Sequence, residues 1–275
     1  MEAIEIRPLT KVIGAEVEGI DLGVPLSAEA KAAIDAALLE HMVLFFRDQD
    51  ITPQQQLDFG RQFGDVYCPA MARQEPDHPD IMLLDQVAPK GEGSDNWHYD
   101  ATFMERPPMG SILKAVRLPA VGGDTCFANM AAAFEALSPD MQRFLEGLTA
   151  IHDLSSQLRI AIDRGISSAD YDALRAAWPP VEHPVVRTHP TTGRKALFVN
   201  RNTGSRLKGL TDRENDLILP FLFDHVRAPE FQCRFQWSPN ALAFWDNRTV
   251  QHCGVPDYEE RRIMHRVTVD GDVPH

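Results

Sequence analysis

His98-Tyr99-Asp100 and the distant His252 are the residues of this chain whose types and spacing could do chemistry. Alternate residues of an extended segment share a face, so His98 and Asp100 can point the same way. A second strand carrying His252 can then complete a corner of two imidazoles and one carboxylate. Such a corner suits a non-haem Fe(II) oxygenase, with coordination positions left open for reactants. On zinc the same corner would activate water for hydrolysis.

A His-x-Asp triplet alone says little, because with 10 His about one is expected by chance. The chain does hold a second, His78-Pro79-Asp80. Its central Pro cannot donate to a sheet ladder, and Pro76 and Asp77 precede it, so it reads as an exposed turn. By contrast, Trp97 to Phe103 mixes aromatic and β-favouring residues after the loop Gly91-Glu92-Gly93-Ser94, which predicts a buried strand entered from a loop.

The second half of the pattern is cationic. An oxoacid that chelates an iron in such a corner leaves a far carboxylate needing a fixed cation. Arginine holds a carboxylate through a planar fork and stays charged. The segment Arg262-Ile263-Met264-His265-Arg266-Val267-Thr268-Val269 alternates as a strand would, putting Arg262, Met264 and Arg266 on one face. Two arginines on a partly apolar face are costly to bury unless each meets an anion.

With these residues in view, the chain resembles the taurine dioxygenase and 2,4-dichlorophenoxyacetate dioxygenase group of Fe(II)/2-oxoglutarate-dependent enzymes. The likeness runs through Ile13-Gly14-Ala15-Glu16-Val17, Gly19-Ile20-Asp21-Leu22 and Val43-Leu44-Phe45-Phe46-Arg47-Asp48-Gln49. It continues through Asn96-Trp97-His98-Tyr99-Asp100, Gly122-Gly123-Asp124-Thr125, and Trp245-Asp246-Asn247-Arg248 to His252. The resemblance implies Fe(II) on His98, Asp100 and His252, with 2-oxoglutarate and dioxygen as cosubstrates. It implies Thr125 and Arg262 on the distal carboxylate of 2-oxoglutarate, Arg266 on the acidic group of a small anionic organic substrate, and Phe103 as an apolar wall. The implied reaction oxidises a substrate C–H bond as 2-oxoglutarate becomes succinate and carbon dioxide. Halogenating relatives replace the carboxylate ligand by a small residue, so Asp100 argues against halogenation. The classes set against this reading are a zinc hydrolase, which has no use for Thr125 and Arg262, and a non-catalytic metal- and oxoacid-binding module.

The chain departs from the family at two places. Taurine-specific members carry a His and a Tyr shortly after the N-terminal Phe-Gly pair, whereas Phe63 to Ala72 here contains no His. A usually aromatic position after Leu197-Phe198-Val199-Asn200 falls in the polar run Arg201 to Arg206, where Arg201 reads as a solvated loop charge. The expected substrate is therefore an anion larger or less polar than taurine: a sulfonate, a sulfate ester, an aryloxyalkanoate or another carboxylate.

Composition bounds the remaining classes. A formal charge of -13 lacks the basic stripe that phosphate-backbone binding needs, so no nucleic-acid partner is expected. No segment has signal-peptide or membrane-span character, so the expectation is a cytoplasmic protein with no membrane partner, and a homo-oligomer. The four cysteines form no Cys-x-x-Cys pair, which signals neither zinc nor a redox dithiol. Cys126 and Cys253, beside Thr125 and His252, should turn to the opposite face and pack as reduced thiols.

The elements that must position these residues are legible in outline. Ser27 caps a helix to about His41, residues 42–46 read as a buried strand, and Thr52-Pro53-Gln54-Gln55 is a capping box opening a helix toward Phe63. Short strands are expected at 81–84, 97–101, 111–117 and 125–128, with helices opening at Ser138-Pro139 and at Thr211. Residues 183–189 and 196–199 should form a hairpin around Thr191-Thr192-Gly193, with His183 and His189 in structural or surface roles. Strands at 232–237, 241–245 and 262–269 close the chain. The predicted fold is mainly β with flanking helices and a double-stranded β-helix, or jelly-roll, core. It forms a single domain over 1–275, with a lid insertion around 155–180.

Overall fold

In the computed structural model the described residues are 4–69, 72–87, 94–163, 170–203 and 205–275. The protein is mainly β, with some helices. Nine strands form one sheet, and Gln232–Phe235, Thr125–Asn129 and Val250–Gly254 form a second, three-stranded one in that spatial order.

The two faces of the large sheet bury different partners, which follows from the side-chain alternation of its strands. In the strand Arg262–Val269, Val267 and Val269 join Leu44, Phe46, Ile112, Leu242 and Phe244 in a core that also takes Ile34, Leu38, Leu57 and Phe59 from two helices. Those helices begin as expected. Ser27 accepts from Ala30 N at the start of Ala28–His41, and Thr52 with Gln55 forms the reciprocal capping box of Pro53–Arg61. Gly60 lets the second helix approach the sheet closely, since a Cβ there would lie 2.8 Å from Val267 Cγ1.

Met264, on the opposite face, packs with Phe45, Leu113, Trp245, Phe127 and Val250 between the large and small sheets. Arg262 and Arg266 share that face with Met264, as alternation requires. The register shift at Ile263/Met264 lies on the side of Gly110–Arg117, whereas pairing with His78–Gln86 runs unbroken from Arg262 to Val267.

Three expectations need correction. His78-Pro79-Asp80 opens the strand His78–Gln86, with the turn confined to Pro76 and Asp77. Pro79 is tolerated there because the strand lies next to the end of the sheet, where Gln74–Glu75 pairs it irregularly. Trp97 to Ala101 is not a strand: His98 makes a lone bridge to His252, and Asp100 lies in a turn with Ala101 at φ 49. The loop residues 91–93 before it lie outside the described residues. The hairpin around Gly193 is limited to Val186–Thr188 and Lys195–Leu197, while His183 belongs to Val181–Pro184, which pairs with Thr149–His152.

The segment 155–180, expected to be a lid insertion, contains the helices Ser155–Asp163 and Tyr171–Ala177; residues 164–169 lie outside the described residues. Among the described residues no helix is long and apolar enough to cross a membrane.

Candidate metal centre and anion cavity

His252 sits in the middle of Val250–Gly254 and exchanges two backbone hydrogen bonds with His98, His252 N to His98 O at 2.9 Å and His98 N to His252 O at 3.1 Å. This lone bridge brings the imidazoles together, with ring centroids 4.2 Å apart. The turn after Tyr99 then swings Asp100 back toward them, leaving its Oδ1 3.9 Å from His252 Nε2. One donor atom from each of His98, Asp100 and His252 lies within 4.8 Å of the others. The corner expected from alternation along a strand thus arises from a bridge and a turn.

The donor set suits a divalent metal. Burial, opposed by Asp100, lowers the His98 pKa, and burial followed by the neighbouring His98 lowers His252 to about 3. Both rings are therefore neutral at physiological pH, as ligation requires. His98 Nδ1 lies 2.7 Å from Asn96 O. Donation to that carbonyl places the ring proton on Nδ1 and the lone pair on Nε2. Burial would raise the Asp100 carboxyl, but Arg266, then His252 and His98, overcome it and bring the pKa down to about 2. Ser111 Oγ donates to Asp100 Oδ2 at 2.8 Å, fixing the carboxylate plane.

Next to this corner is a cavity of about 80 Å³, lined in part by His98, His252, Thr125, Trp245, Arg262 and Arg266. A larger cleft of about 1030 Å³ lies elsewhere, over residues 16–30 and Arg47, and includes none of these groups. The small cavity carries the chemistry because a buried guanidinium faces it, hydrogen-bonded to the Tyr258 side chain and attracted by Asp124 without a direct salt bridge among the described residues. Arg262 is 7% exposed, stacks over Trp237 at 5.8 Å, and makes no ion pair among the described residues. Gly123 makes room for it, since a Cβ there would sit 3.2 Å from Arg262 Cδ and Nε. Thr125 Oγ1 accepts from Trp237 Nε1 at 3.0 Å, so its own hydroxyl proton remains available to a ligand.

Arg266 is held differently from the expectation that its anion is a substrate alone. Its Nη1 donates to Asp100 Oδ1 at 2.5 Å, and its Nη2 meets Met82 Sδ at 2.9 Å. Phe103, 9% exposed, makes an edge-to-face contact with Trp178, just after the helix Tyr171–Ala177, at a centroid distance of 5.4 Å. Arg201 is exposed, as a solvated loop charge should be.

Several residues that hold the site were not singled out from sequence. Asn247 Oδ1 accepts from Asp100 N, and its Nδ2 donates to Asp100 O and Pro108 O. Thr102 Oγ1 joins His152, Thr203 and Asn200 in a buried cluster behind the turn. His183 Nε2 donates to Thr102 O and Met104 O, and His189 Nε2 pairs with Asp246 Oδ2 at 2.9 Å. Both histidines are structural, although His189 has the carboxylate partner that its local sequence does not reveal. All four cysteines are free, and Cys126 faces Cys253 across the strand pair, on the opposite face from Thr125 and His252.

A mainly β fold that gathers a two-His, one-carboxylate corner beside an arginine-lined cavity defines a non-haem oxygenase type of protein. The chain belongs to the taurine catabolism dioxygenase TauD, TfdA family, whose model matches residues 5–268. It is 34% identical over 283 residues to an alpha-ketoglutarate-dependent sulfate ester dioxygenase of Pseudomonas putida, covering 98% of this chain and 91% of the relative. It is also 34% identical over 290 residues to the alpha-ketoglutarate-dependent 2,4-dichlorophenoxyacetate dioxygenase of Cupriavidus pinatubonensis, covering 98% and 99%. A crystal structure described as a putative alpha-ketoglutarate-dependent taurine dioxygenase from Burkholderia xenovorans superposes with a TM-score of 0.85 at 36% identity, covering 99% of this chain and 94% of that one.

Proposed function

We propose that this protein is an Fe(II)- and 2-oxoglutarate-dependent dioxygenase that oxidises a C–H bond of a small anionic organic molecule. Substrate, dioxygen and 2-oxoglutarate are converted to hydroxylated product, succinate and carbon dioxide. The observation that carries this reading is the corner of neutral His98 and His252 with the Asp100 carboxylate, next to a cavity lined by Arg262, a buried cation with no salt bridge among the described residues. Membership of the family and the two dioxygenase relatives support it.

His98, Asp100 and His252 would hold the iron, which supplies activation of dioxygen and a chelation point for 2-oxoglutarate when bound. The remaining work belongs to the chain. Asn96 O keeps the His98 ring in the tautomer that presents Nε2, and Ser111 turns the Asp100 carboxylate so that Oδ1 faces the imidazoles. Arg262 and Thr125 bind and orient the distal carboxylate of 2-oxoglutarate. Trp245, Leu113 and Tyr258 wall the cavity and limit water around the reacting groups. Arg266 receives the substrate anion, and Phe103 with Trp178 forms an apolar wall above the reaction site.

The facing nine- and three-stranded sheets support a jelly-roll core, in a single domain whose 155–180 segment acts as a lid. Sulfate esters and aryloxyalkanoates are the substrate classes favoured by the relatives' activities.

The test is anaerobic addition of 2-oxoglutarate to the Fe(II) protein, which should produce a visible charge-transfer band. Admitting oxygen with members of a sulfate ester, sulfonate and aryloxyalkanoate panel should then release succinate. Absence of both band and succinate would overturn the assignment.

A further inference from the structure

Tyr67 lies on the same face of the large sheet as the two arginines. It pairs directly with Thr268, and directly opposed residues of an antiparallel pair project to one side. Thr268 is two residues beyond Arg266, so the phenol and the guanidinium flank the same patch of sheet in front of Asp100. The Tyr67 hydroxyl is near enough to feel the charges of Asp100 and Arg266. Burial, followed by Asp270 and Asp100, raises its pKa, so it remains an O–H donor under physiological conditions.

What these donors meet is unusual. The Tyr67 hydroxyl has one hydrogen-bond partner among the described residues, Met104 Sδ at 3.5 Å, and Arg266 Nη2 ends on Met82 Sδ at 2.9 Å. A thioether is a weak acceptor. The Tyr67 hydroxyl and the Arg266 Nη2 therefore each end on sulfur, where ordinary accounting calls for oxygen acceptors, while the Arg266 Nη1 is held by the Asp100 carboxylate. Methionine side chains are flexible, so both sulfurs can yield to an incoming group without moving the backbone.

We propose that Tyr67 and Arg266 together receive the anionic head group of the organic substrate, which replaces the Met82 and Met104 sulfurs as their acceptor. Tyr67 is then a specificity-determining residue. It supplies a neutral donor beside the cation of Arg266. The methionines leave an apolar approach suited to an oxyanion on a hydrocarbon or aryl body. This proposal rests on the dioxygenase reading above.

The test uses the protein loaded with Mn(II) and 2-oxoglutarate under argon, with calorimetric titration of two anionic probes, phenoxyacetate and hexyl sulfate, and of neutral 2-phenoxyethanol. Tyr67→Phe removes one oxygen. It should weaken the better-bound anion about ten- to hundredfold, the range for one hydrogen bond to a charged group. Affinity for phenoxyethanol and 2-oxoglutarate should be unchanged. Arg266→Ala should weaken the same anion, and the double variant should lose less than the sum, because both donors serve one head group. Equal anion affinity in Tyr67→Phe and the unsubstituted protein would overturn the proposal. So would failure of both anions to bind the unsubstituted protein. Either result would leave the dioxygenase assignment to be judged separately by the charge-transfer band and succinate release.

Discussion

Asn247 grips the main chain of Asp100 from both sides. Its Oδ1 accepts from Asp100 N at 2.9 Å while its Nδ2 donates to Asp100 O at 3.0 Å. The amide is fully buried, and its own backbone N–H is anchored to Met109 O at 2.8 Å. The loop that precedes His252 thus sets the position of the carboxylate on another segment, so the ligand corner is fixed by side-chain and backbone bonds rather than by a shared strand.

Asn247→Ala should therefore loosen the corner without removing a ligand. The Asp100 N–H and C=O lose their buried partners, at a cost of about 1–3 kcal/mol for each group left unsatisfied. We expect a lower melting temperature and weaker Co(II) binding in a metal titration. Unchanged Co(II) affinity would show that Ser111 and the bridge suffice.

Arg262→Ala should weaken 2-oxoglutarate binding strongly while metal stays bound. Leaving one member of a buried charge pair uncompensated costs about 3–5 kcal/mol. Arg262→Lys should restore only part of the affinity, because an ammonium cannot reproduce the planar fork. Anaerobic titration of the charge-transfer band reads both, and a wild-type titration curve for the Ala variant would move the anchor elsewhere.

The iron ligands are tested one at a time through the same band. His98→Ala and His252→Ala should each abolish it by removing one of the three donors gathered at the corner. A full-strength band in either variant removes that residue from the coordination set.

Acid stability should depend on His152. Its pKa is lowered from 6.5 to about 3, by burial first and by neighbouring His183 second. The unfolded chain takes up this proton near pH 6.5 and the folded chain only near pH 3. Stability therefore falls as pH drops through that window, by up to about 1.4 kcal/mol per pH unit for one such group. His152→Asn should be less stable at pH 7.5 but lose melting temperature less steeply between pH 6 and 4. Parallel slopes would assign the acid sensitivity to other buried histidines.

Trp178→Ala should act on the organic substrate and spare 2-oxoglutarate. The edge-to-face contact with Phe103 is worth about 0.5–1.5 kcal/mol. A rise in substrate KM of several-fold, with 2-oxoglutarate affinity retained, is the expected result. Equal losses for both would mean that the insertion supports the whole site.

Local chemistry made much of this protein legible from its residues. Ser27, Thr52 and Thr211 announced three helices, because a cap satisfies backbone donors only a few residues away. The alternation of Arg262 to Val269 announced a strand with both arginines on one face, because side-chain direction repeats every two residues. The types of His98, Asp100, His252, Thr125 and Arg262 announced the chemistry, since imidazole, carboxylate and guanidinium keep their ligand preferences wherever they are placed.

Tertiary structure decided what depends on partners far along the chain. It exchanged the expected strand at Asp100 for a turn held by Asn247, 147 residues away. It gave His189 its Asp246 partner, and it placed His183 in a strand that pairs with Thr149–His152 while His189 falls just after the strand Val186–Thr188. It also set Tyr67 beside Arg266 through a two-residue pairing with the last strand. Periodicity and caps are short-range and therefore written locally. Which donor meets which acceptor across a packed interior is a property of the whole arrangement, because every buried polar group must find a partner only after the sheets have closed.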